Sequence, residues 1–214
     1  MPERWRIRPE QLPTLAVALL ATAYFALWAC APAATLAPQL YNGAERRSEV
    51  AVAATYSSAL DGRASSLFVG GCPHAVDGQI SWSRQLGHWD VGATAFGGTG
   101  SAVGAGGFGR YRVVDTPRGQ VGVQFAGGWL WAALAVPMSV AVTDQVWIYT
   151  APNFGYQLGF LRLPLGIAIR IEDAISLYLE GGFRTNSIAP TSSSPVGSAI
   201  ENAVSGSAGV GFRF

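Results

Sequence analysis

Charge is what this sequence has least of. Arg, Lys, Asp and Glu make up 13% of the 214 residues, about half of the ~25% found in ordinary soluble domains. The net charge is only +1. No basic surplus exists to hold nucleic acid, and none is expected as a partner. Cysteines and histidines number two each. No zinc spacing, phosphate loop or nucleotide fingerprint occurs, so neither a metal nor a cofactor is expected. Beyond Cys30 there is no apolar run of the ~20 residues a membrane helix requires, which excludes a helical bundle.

Half of the chain is nonetheless hydrophobic, 11% of it is aromatic, and glycine occurs 27 times. That is well above the usual glycine share of ~7%. Such a composition is not that of a disordered chain, and the length suits one domain.

Residues 1–29 read as a signal segment. Arg4, Arg6 and Arg8 are followed by the apolar run Leu12 to Trp28, a basic region leading into an export-type core. Three outcomes are open: processing at Cys30, cleavage after Ala33 within Ala31-Pro32-Ala33, or retention as an anchor helix near the lower length limit for spanning. Residues 30–48, with Pro32, Pro38 and the polar cluster Asn42 to Arg47, form a tether without periodicity. Cys72, in a turn-rich stretch, and His74 together supply too few ligands for a metal.

Residues 49–214 alternate with a period of two, the signature of strands. The clearest runs are Val76 to Leu86, Trp89 to Phe96, Ala102 to Val114, Gln120 to Ala126, Trp129 to Val142 and Leu161 to Ile171. Val, Ile, Leu, Trp and Phe hold one parity; Gly, Ser, Gln, Asp, Arg and Glu hold the other. Gly87-His88 and Asp115 to Gly119 mark turns, and Gly127-Gly128 is read as a two-residue hairpin. Leu67-Phe68-Val69 is read as a packed loop piece. A strand, Asp turn and strand occur at Pro137–Tyr149 and again at Pro164–Tyr178, one hairpin unit used twice. The runs predict about ten strands, with eight as the alternative, of the length that tilted membrane-spanning strands need. Short connections alternate with the longer stretches 57–75 and 185–202. The expected fold is therefore all-β: a closed, antiparallel, up-and-down transmembrane β-barrel in which 203–214 pairs with 49–56. A soluble β-sandwich or lipocalin-like binder on a lipid anchor is the alternative.

Two resemblances add to this reading. Leu27-Trp28-Ala29-Cys30 resembles the bacterial lipoprotein box, with Trp28 where a small residue is usual. That resemblance implies lipid attachment at Cys30 and outer-membrane sorting. The alternating strands, ending in Gly-Val-Gly-Phe-Arg-Phe, are similar to the small outer-membrane β-barrel superfamily. This implies a bacterial outer-membrane location, with outer-membrane lipid and the barrel-assembly machinery as partners. It also implies that Phe212 and Phe214 act as the membrane assembly signal.

Inward parity collects Asp77, Asp90, Arg110, Arg112, Arg162, Arg170, Glu180, Arg184 and Arg213. In a small barrel such charges are expected to pair and fill the lumen. A narrow anion-preferring pore or small-ligand carrier is the competing reading. Trp82, Trp89, Trp129, Trp131, Trp147 and Tyr149 are read as interfacial anchors. His74, three residues from Asp77, makes no catalytic dyad by spacing alone, and no enzyme is expected. The expected role is structural, or surface interaction through the long loops.

Overall fold

The period-two runs become strands of one sheet. The computed structural model describes residues 47–60, 74–99, 103–128, 131–155, 160–185 and 202–214. The signal segment with Cys30, almost all of the tether, Cys72, Trp129 and the 67–69 piece lie outside the described residues.

The strands are β1 (Ser48–Ala59), β2 (His74–Leu86), β3 (Trp89–Gly98), β4 (Gly104–Thr116), β5 (Gly119–Gly128), β6 (Trp131–Ala135), β7 (Met138–Ala141), β8 (Val146–Thr150), β9 (Asn153–Gly155), β10 (Phe160–Glu172), β11 (Ile175–Thr185) and β12 (Asn202–Arg213). β6 and β7 continue one another, as do β8 and β9, so the wall counts ten strands. Every neighbour is antiparallel, and pairing of β10 with β11 and of β12 with β1 closes the ring. Following paired residues round the wall from Ser48, through Arg84, Val91, Gly109, Phe125, Leu134, Phe154, Leu161, Thr185 and Asn202, leads back to Leu60. The path returns twelve residues along from where it began. Such a stagger tilts the strands by about 40° and gives a backbone diameter of roughly 20 Å.

Turns at Gly87-His88, Pro117-Arg118, 142–145 and Asp173-Ala174 share one rim with Ser48 and Phe214. The connections at 60–73, 99–103, 129–130, 156–159 and 186–201 join strands at the other rim. Gly87 has φ +64°, the left-handed conformation that a two-residue turn requires and that only glycine adopts cheaply.

Two expectations change. Gly127 and Gly128 are not a turn; they pair with Ala132 and Trp131 inside the β5–β6 ladder. The run from Trp129 to Val142 is not one unbroken strand, because it is interrupted at Val136-Pro137. The adjoining strand is interrupted at Ala151-Pro152. Proline has no N–H for the ladder. The ladder survives there through Gly122 N–H to the Pro137 carbonyl and Val136 N–H to the Pro152 carbonyl, each at 2.9 Å. Pro164 lies opposite Ala151, and its carbonyl accepts from the Thr150 hydroxyl. One register row thus carries Pro137 and Pro164 on either side of Ala151, with Pro152 one residue along on the middle strand.

The faces are inverted relative to a soluble barrel. Leu165 and Phe125, each 64% exposed, typify the outer wall, whereas Arg110 is 3% exposed and Ser176 fully buried. A bulge in β4 between Arg112 and Val114 leaves both Val113 and Val114 on the outside.

Candidate functional site: the barrel interior

Inward parity places the charges in three groups. At the short-turn rim, Asp90 lies 3.7 Å from Arg110 Nη1 and 3.4 Å from Arg112 Nη2. Arg112 Nη1 lies 2.5 Å from Asp115 Oδ2, and its Nη2 donates to the Gly87 carbonyl, so an interior cation also holds the turn outside it. Asp115 accepts in addition from Gln120 Nε2 at 2.5 Å. Arg110 donates through Nε and Nη2 to Gln124 Oε1, at 3.0 and 2.7 Å, and sits 5.6 Å over the Phe108 ring.

The second group joins the first strand to the last. Arg213 Nε donates to Glu49 Oε2 at 3.1 Å, and its Nη2 donates to Ser176 Oγ at 2.9 Å. Tyr178 donates to Glu49 Oε1. The third group lies toward the other rim, where Arg162 Nη2 meets Glu180 Oε1 at 2.5 Å. Arg184 is the cross-strand partner of Arg162, and Arg170 stands half-buried at the short-turn end of β10. Buried ions of this kind must find counter-ions or hydrogen bonds.

The interior rings are organised by glycine. Phe96 stands opposite Gly104, Phe108 opposite Gly92, Trp131 opposite Gly128 and Tyr149 opposite Gly166. In each case a Cβ added to the glycine falls within 2.2–2.5 Å of the facing ring. The rings therefore lie against the neighbouring strand in space that only glycine leaves. Phe96, Phe108, Ala126 and Trp131 form one buried cluster; Ala51, Trp147, Tyr149, Ala168 and Tyr178 form another.

Of the candidate residues, Arg110, Arg112, Arg162 and Glu180 are buried and paired inside the wall, and Arg170 and Arg184 face in at the two ends. Phe212 and Phe214 are exposed on the outer side at the short-turn rim. The anchor reading fails for Trp131, Trp147 and Tyr149, which are buried inside; their parity matches Ala135, Ser139 and Ala151, not Leu134 and Ile148. Trp82 and Trp89 do lie on the outside. His74 stacks on Tyr56, whose hydroxyl is 2.8 Å from Nδ1, on the outer face, whereas Asp77 is buried within. Sequence reasoning missed Glu49; the signal was available, because it shares parity with Ala51 and Ala53. Among the described residues, no group of three or more His, Cys, Asp or Glu gathers as metal ligands.

This arrangement defines a closed ten-stranded antiparallel barrel of the membrane-spanning kind, apolar outside and polar inside. No protein-family model matches the chain, and neither does any curated protein. Among solved structures, it is similar to the KdgM porin at 10% identity, over 77% of this chain and 99% of that one, with a TM-score of 0.44. The Neisserial surface protein A structure matches at 12% identity over 79% and 97% of the two chains, TM-score 0.35. The Ail protein of Yersinia pestis matches at 9% identity over 79% and 99%, TM-score 0.35.

Proposed function

We propose that this chain is a bacterial outer-membrane barrel whose lumen is closed by its own side chains. Its work is structural or done at the surface, through the connections 61–73 and 186–201 at the long-connection rim. The observation that carries this is the pairing of the interior. Arg110, Arg112, Arg162 and Arg213 are each committed to a carboxylate, and four rings are seated on glycines. An even strand count sets both ends of the barrel at the short-turn rim, which in this class faces the periplasm. A lipid on Cys30 would enter the membrane from that same side. Assembly by the outer-membrane insertion machinery, reading Phe212 and Phe214, belongs to the same proposal.

Planar-bilayer recording of the refolded protein tests it. The expected trace has no conductance steps. Anion-selective steps would replace this reading with a narrow pore, which the cross-strand neighbours Arg162 and Arg184 favour. Membrane fractionation and heat-modifiable migration in detergent separate either barrel from a soluble anchored binder.

A further inference from the structure

Among the described strand residues, Arg84 is the only arginine on the outward face; the one outward carboxylate, Glu172, is turned out by a bulge at the end of β10, four strands away. It sits in β2 between Trp82 and Leu86, with Ser48 and Val91 as its cross-strand partners. No hydrogen bond or ion pair reaches it from the described residues. A guanidinium on a wall that faces lipid is costly unless something outside the protein neutralises it. Beside it stand the exposed rings of Trp89 and Tyr111, 5.1 Å apart, which suit the headgroup level.

A second feature lies farther up the same wall. A shallow, open hollow of about 1060 Å³ lies on the outer face, its lining including the small Ala54, Gly78 and Ala208 and the larger Val52, Ile80 and Leu179. The small residues leave a shallow relief between the larger ones. Gly78 and Arg84 stand six positions apart on β2, which is about 20 Å along the strand and about 15 Å along the membrane normal at the tilt given above. Half of a bilayer's hydrocarbon core is also about 15 Å. The outward positions between them, Ile80 and Trp82, are apolar.

We propose that β1, β2 and β12 carry a site for one anionic phospholipid of the leaflet at the short-turn rim. Its phosphate pairs with Arg84 and an acyl chain runs up to the hollow. The planar fork of arginine suits phosphate oxygens better than a point charge does. The one outward carboxylate on the described strands, Glu172, is four strands away and does not compete for Arg84. The site rests on the membrane-barrel reading.

Native mass spectrometry of the full chain, released from nanodiscs of phosphatidylglycerol and phosphatidylcholine, tests it. Wild type is expected to retain one phosphatidylglycerol under activation that strips phosphatidylcholine. Arg84→Gln should lower that retention roughly tenfold, the effect of losing one charge-assisted bond. Gly78→Leu puts a side chain into the hollow from a position where an added Cβ has its nearest neighbour 3.8 Å away, and should lower retention while Arg84 remains. Arg118→Gln, in a neighbouring turn, should leave it unchanged. Equal retention by wild type and Arg84→Gln, or no preference of wild type for phosphatidylglycerol, overturns the site. Heat-modifiable migration is read on every sample: a wild type that never forms the compact band overturns the barrel reading, and the lipid site with it.

Discussion

Ser48 and Phe214 exchange both of their backbone hydrogen bonds, each at 3.0 Å. The last residue of the chain is therefore a full member of the ladder that closes the barrel. Next to it, Arg213 and Glu49 are paired inside the wall. Backbone and side chain thus fasten the same seam.

Deletion of Phe214 removes this clasp and one rim aromatic. Slower and less complete membrane insertion is expected, read as a smaller heat-modifiable fraction after refolding into vesicles. Insertion at the wild-type rate and yield would show that the terminal residue is dispensable.

Gly166→Ala puts a Cβ 2.2 Å from Tyr149 Cζ. The ring must leave its place, at a cost of about 1–3 kcal/mol, as for other overpacked sites. Tyr149→Ala in the same molecule should remove most of that penalty. Urea unfolding of the two single variants and the double variant measures the coupling; additive effects would mean that ring and glycine do not meet.

Glu180→Gln leaves the Arg162 guanidinium buried without its carboxylate. A loss of about 3–5 kcal/mol is expected, with much of it recovered when both residues become apolar. The same unfolding assay checks this, and a neutral Glu180→Gln would indicate that water reaches Arg162.

The proline row gives a prediction about motion. Amides around Pro137, Ala151 and Pro164 should exchange with solvent hydrogen faster than those of the unbroken β1–β2 ladder, because ladder donors are missing there. Pro137→Ala supplies one donor facing the Gly122 region and should slow exchange locally. Mass-spectrometric exchange in detergent resolves these segments, and uniform protection round the wall would contradict the prediction.

The architecture could be read in the sequence because a membrane barrel writes its two faces into alternate residues. Val76 to Leu86 and Leu161 to Ile171 assigned themselves, and the tight turn at Gly87 and the closing pair of 203–214 with 49–56 followed. What could not be read is what crosses the interior. Glu49 and Arg213 lie 164 residues apart, and only ring closure brings them together. The seating of Tyr149 on Gly166 depends on register, which alternation alone leaves free. The breaks at Pro137 and Pro152 were signalled by the prolines themselves, but the apolar parity runs straight across them and conceals the interruption. Trp131 and Trp147 look like anchors by residue type; only their parity tells otherwise.

The seating of rings on glycines also has an evolutionary consequence. Enlarging Gly92, Gly104 or Gly166 expels a ring, and shrinking Phe108, Phe96 or Tyr149 leaves a slot in the wall. Neither partner can drift freely by itself. Among descendants of this chain each ring and its glycine should be inherited as a unit, so that covariation between the two columns would record the register of the barrel.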